Sequence, residues 1–150
     1  MRKLVLALFC GLALGGISER AACAEVLITP DEAKLPSPPG GGASTRGLTR
    51  GPGIIQESPL PSQSVRSPMP FKIKFETRNN VAIDLTSVKL VYIKTTPVDL
   101  TGRIRNHLTS SGIEMDQAET PPGVHLLRLE LQDLQGRVSS EVIRLNVAER

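Results

Sequence analysis

Aromatic residues are scarce: 150 residues hold three Phe, one Tyr and no Trp. An aromatic platform for stacking bases is therefore not available, and the stacking faces that sugar-binding surfaces use are few. Cysteine is scarcer, and both thiols, Cys10 and Cys23, stand within the first 24 residues. Downstream of them the chain has no disulfide, no thiolate nucleophile and no Cys ligand for a metal. The run Leu4 to Gly16 carries no charge, yet its 13 residues would span only about 20 Å as a helix, short of a ~30 Å hydrocarbon core. With 39% apolar and 22% charged residues, the composition excludes collagen, a coiled coil and a polytopic membrane protein.

What stands at the amino end is ordered like an export signal. Arg2 and Lys3 precede the apolar run, and small residues at Ala22 and Ala24 close it. Basic start, short apolar stretch and A-x-A site predict a signal peptide over 1–24, with cleavage before Glu25. Lipidation at Cys23 is the rival reading, but Arg20 stands three positions before it, where an aliphatic residue is wanted. Removing Arg2, Lys3, Arg20 and Glu19 lowers the formal net charge from +3 to +1. A basic nucleic-acid-binding face is therefore not expected, and a periplasmic or secreted location is.

Nine of the 12 Pro fall in residues 30–70, including Pro36, Pro38 and Pro39 ahead of three glycines. This composition predicts a flexible Pro/Gly-rich arm over 25–51. One domain over 52–150 follows. Phe71, Ile73 and Phe75 alternate with Lys72, Lys74 and Glu76, the period of a strand with one wet face. Val88 to Ile93 is a second strand, with Leu90 and Tyr92 on one side. Residues 124–132 and 138–147 alternate around the turn Asp133-Leu-Gln-Gly136 and predict a hairpin. Leu100, Ile104 and Leu108 recur every four residues and predict a short helix or one helical turn, with Asp99 at its start.

Short strands divided by Pro, Gly, Asn and Asp turns predict an all-β antiparallel sandwich. The run Gly123 to Arg137, with its alternating strand, Asp and Gly turn, resembles the closing strands of bacterial immunoglobulin-like domains. Gly51 to Ile55 with Ser58-Pro59 resembles their first strand, and Ile83-Asp84 with Ser87 to Tyr92 their middle. The resemblance covers residues 52–149 and implies a sandwich of ~100 residues. It implies no role, and the inter-sheet disulfide and core Trp of antibody domains are absent.

The search for chemistry returns little. His107 and His125 have no metal spacing, no Ser lies in G-x-S-x-G, and the acidic residues form no D-x-D-x-D-G loop. No cofactor, metal or catalytic residue is expected. The expectation is a non-catalytic envelope interaction module that docks a protein partner through a sandwich edge or loop. Residues 109–123 read as a long loop, and Ile113, Met115 and Asp116 within it read as an apolar anchor with a polar rim. The alternatives are a carbohydrate- or envelope-polymer-binding domain, which Phe71, Phe75 and Tyr92 would serve only if exposed, and a small secreted enzyme or inhibitor.

Overall fold

A computed structural model of the chain describes residues 23–39 and 50–149. The expected signal peptide lies outside the described residues over 1–22, as does the expected arm over 40–49. Among the described residues ten strands form two sheets of five. The first sheet holds β1 (Glu25–Val26), β8 (Gly112–Glu119), β4 (Met69–Glu76) and β2 (Gly53–Ser58) in that order, with β7 (Leu108–Thr109) also on β8. The second holds β3 (Ser64–Val65), β10 (Val138–Val147), β9 (Gly123–Asp133), β5 (Ile83–Tyr92) and β6 (Val98–Asp99). A five-residue helix, α1 (Pro30–Lys34), follows β1, and a four-residue helix, α2 (Thr101–Ile104), runs into a 3-10 turn at Arg105–His107.

Alternation builds the core. Phe71, Ile73 and Phe75 of β4 are buried, as are Leu127, Leu129 and Leu131 of β9 and Ile143, Leu145 and Val147 of β10. Their neighbours along each strand are more exposed, as a two-residue period requires. Leu90 and Tyr92 face the same interior from β5. The β9–β10 hairpin keeps one register from Val138↔Gln132 to Val147↔Gly123. Its turn is fastened by Asp133, whose Oδ1 accepts the Gln135 and Arg137 amides at 2.9 and 3.0 Å and whose Oδ2 accepts Arg137 Nε at 2.6 Å. Burial pushes this carboxyl up, but the Arg137 and Gln135 hydrogen bonds outweigh it and hold the pKa below the ordinary carboxylate range. Gly136 takes φ +76°, which a side chain would disfavour.

The all-β sandwich therefore stands, with three differences from the expectation. First, the sheets are mixed, because β1 joins β8 and β3 joins β10 in parallel. Second, residues 109–123 are not a long loop. Most of the segment is β8, which pairs with β4. Gly112 lets it start there: a Cβ at this residue would lie 2.0 Å from Ile73 O. Ahead of it, the helical turn expected around Leu100 and Ile104 is present as α2, and Asp99 Oδ1 accepts the Thr101 amide at 2.8 Å at its start.

Third, residues 25–36 are not a flexible arm. Leu27 and Ile28 are 0% and 1% exposed and belong to the core cluster. Thr29 closes α1 with a capping box: its hydroxyl accepts the Glu32 amide and Glu32 Oε2 accepts the Thr29 amide at 2.9 Å. Composition averaged over 25–51 hides this, since the two-residue strand Glu25–Val26, the buried Leu27-Ile28 and the helix start Thr29-Pro-Asp-Glu32 all stand ahead of the Pro/Gly-rich run.

Candidate functional site

The anchor expected at Ile113, Met115 and Asp116 does not exist as a surface. Ile113 and Met115 are 0% and 1% exposed. Strand periodicity sends both inward, packing them on the core side of β8. Only Asp116 faces solvent, near Lys72 Nζ at 3.8 Å, a pair that contributes little at such exposure. Phe71, Phe75 and Tyr92 are all buried, so among the described residues no aromatic ring offers a stacking face.

Both histidines are hydrogen-bonded, His125 in the interior and His107 at the partly exposed sheet edge. His125 Nδ1 meets Tyr92 Oη at 2.7 Å and its Nε2 meets Pro121 O at 2.8 Å. Burial, with the charge of Lys94 adding to it, lowers the His125 pKa against the opposing bond to Pro121. Burial, followed by the Glu32 charge, pushes the Tyr92 hydroxyl up to about 12. These groups are neutral at pH 7 and tie the start of β9 to β5. His107 Nε2 lies 2.5 Å from Glu25 Oε2, and its Nδ1 lies 3.1 Å from Glu114 O. Among the described residues no group of three or more His, Cys, Asp or Glu side chains is arranged to hold a metal ion.

A concave feature with mainly apolar walls lies at one end of the sandwich, where the β1–α1 junction meets the connection from β8 to β9. It is a cleft of about 450 Å³, within the size range of ligand pockets. Val26, Ile28 and Pro30 form one side, Pro121 and Pro122 another, and Ala148 lies beyond the end of β10. Val26 is 40% exposed. Thr120, 3% exposed, also lines the cleft, and its Oγ1 has no hydrogen-bond partner. Leaving a buried hydroxyl unpaired costs about 1–3 kcal/mol. Its amide, in contrast, donates to Ser67 Oγ at 3.0 Å.

The sheet edge next to the cleft is incomplete. β7 pairs with β8 at Gly112 and Ile113, and β1 pairs with it at Ala118 and Glu119. Residues 114–117 have no strand partner on that side among the described residues, although His107 Nδ1 already meets Glu114 O there. Unpaired strand edges present backbone donors and acceptors to an incoming chain. Of this site, sequence reasoning placed residues 119–122 inside the expected 109–123 loop without singling any of them out, and it missed Val26 and Ile28. The capping box at Thr29 was the signal that would have joined residues 25–30 to the fold. No helix among the described residues is long and apolar enough to cross a membrane. No family model, curated protein or solved structure matches the chain.

Proposed function

We propose that this chain is an exported, non-catalytic interaction module that takes an extended apolar segment of a partner protein. The segment lies along the β1–β8 edge and sets an apolar side chain into the cleft beside Thr120. The cleft carries this reading: its lining is mainly aliphatic and proline beside Ser67 and Glu119, the sheet that borders it has an incompletely paired edge, and it holds a hydroxyl that an incoming amide would pair. A carbohydrate ligand fits less well, because Phe71, Phe75 and Tyr92 are all in the core.

We also read the sandwich as immunoglobulin-like. Immunoglobulin sheets hold the first, second, fifth and fourth strands on one side and the third, sixth and seventh on the other. Here β2, β4 and β8 share one sheet and β5, β9 and β10 the other, with β1 beside β8 where a fourth strand would lie. Support for export is the order of residues 1–24 together with the start of β1 at Glu25, the first residue left by cleavage after Ala24.

Capture from envelope extract on the tagged chain tests the binding role. Val26→Asp and Pro122→Asp should abolish recovery of a protein partner without altering the melting temperature. Leu134→Asp, at a residue 70% exposed in the distant hairpin turn, should leave recovery intact. Equal recovery by all three variants would refute docking at this end.

A further inference from the structure

Residues 25–36 meet the rest of the sandwich as a ligand meets a receptor. Besides Leu27 and Ile28 in the core, Arg103 holds both Glu32 carboxylate oxygens, at 2.7 and 2.8 Å, and donates to Leu27 O at 2.8 Å. Lys94, 8% exposed, donates from Nζ to Ala33 O and Leu35 O, both at 2.9 Å. The Thr95 amide donates to Pro36 O at 2.9 Å. The receiving groups stand on the body from residue 50 onward, so the surface reads a specific peptide: two adjacent apolar residues, then a carboxylate four positions after the second.

The described residues that flank the connection between ligand and receptor lie at opposite ends of the sandwich. Ser37 and Pro38 lie with Val124 at one end of the sandwich, and Gly51 lies against Val138 and Ser139 at the other. Val124 pairs with Asn146, and the eight steps from Asn146 to Val138 cover ~27 Å of strand. The tether from Pro39 to Arg50 has eleven Cα steps, with a maximum reach of about 36–40 Å. A free Gly-rich chain of that length has a root-mean-square span of about 18 Å. The body therefore holds the two ends further apart than the relaxed span of a chain of that length, which lowers the effective concentration of the segment at its own groove.

We infer that the surface under residues 25–36 is a peptide groove that accepts the same segment from a second copy of this chain. Every contact made within one chain is available between two, so tether length and chain concentration alone decide the partition. Dilute chains hold the segment in cis. Crowded chains, or chains whose cis pairing is penalised, exchange it. This inference does not depend on what the cleft binds.

Charge reversal tests it on the full chain. Glu32→Arg opposes Arg103 within its own chain, and Arg103→Glu opposes Glu32 within its own. Mixed, each segment meets an opposite charge on the other chain's groove. At tens of micromolar, light scattering should show each variant alone as a monomer and the equimolar mixture as a 1:1 heterodimer. A mixture that stays monomeric while both variants fold overturns the inference. If either reversed variant fails to fold, deletion of residues 41–46 serves instead. Five remaining steps reach at most about 18 Å, too short for cis closure. The shortened chain should then dimerise, and Leu27→Asp in it should restore the monomer. A monomeric shortened chain without Leu27→Asp would overturn the inference equally.

Discussion

Leu27→Ala separates an integral amino-terminal segment from a solvated arm. Leu27 is 0% exposed and sits in the core cluster between β1 and α1. Burying a Leu side chain contributes about 1.5–3 kcal/mol, and the cavity left by truncation brings the usual loss to about 2–5 kcal/mol. The lower part of that range applies here, because an edge segment of a dozen residues can detach locally and cap the loss. A change of about 2–3 kcal/mol in a domain of this size moves the melting temperature by about 8–15 °C. Differential scanning calorimetry at fixed pH, with Leu60→Ala as control, is the assay. Leu60 is 51% exposed, and truncation there should stay within ±0.5 kcal/mol. A Leu27→Ala shift no larger than the control's would refute the placement of residues 25–36 in the core.

The Glu32 carboxyl falls from 4.5 to about 2, first because Arg103 donates to it. The unfolded chain therefore takes up the proton first. The pair stabilises fully above pH 4.5 and loses roughly 3 kcal/mol as pH falls toward 2. Denaturant midpoints at several pH values should show Glu32→Gln with a flatter acid limb. His125 has a lowered pKa, so its neutral burial favours folding at neutral pH and loses effect as pH drops below the ordinary 6.5. His125→Asn should flatten the stability profile just below that value. Gly112→Ala forces a Cβ onto Ile73 O at φ +155° and should cost roughly 2–4 kcal/mol in urea unfolding.

Much of the β scaffold is written in period-two patterning. The strands around Phe71, Leu129 and Ile143 and the turn at Asp133 to Gly136 follow from residues that act locally. Leu100 and Ile104 are likewise buried, although the helix between them is a single turn. Residues 109–123 misled because Gly112 and the acidic Glu114, Asp116 and Glu119 resemble loop chemistry. Their alternation with Ile113, Met115 and Ala118 is imperfect, since the register with β4 shifts between Met69 and Phe71. A strand that gains a residue there breaks the period that identifies strands.

The amino-terminal segment was illegible for a different reason. Two-residue strands such as β1 carry no period at all, and the partners of Glu32, Leu27 and Ala33 lie some 60 to 80 residues away in sequence. Only the capping box is local. Because the cleft is built from this segment and the 119–122 connection, the candidate site was no more readable than its least local wall. Thr120 shows this most plainly, since the missing partner of a hydroxyl is a property of the folded surroundings.

Docking at the cleft is tested most directly by placing a photo-crosslinking side chain at position 26. Val26 is partly exposed at the rim, so the substitution leaves the core contacts of Leu27 and Ile28 in place. After irradiation in envelope extract and mapping of the adduct, the label should be joined to an extended apolar stretch of another protein. The same label at position 134 should give no such adduct. Adducts to envelope polymer alone, or the same protein adduct from both positions, would contradict a peptide-docking site at this end of the sandwich.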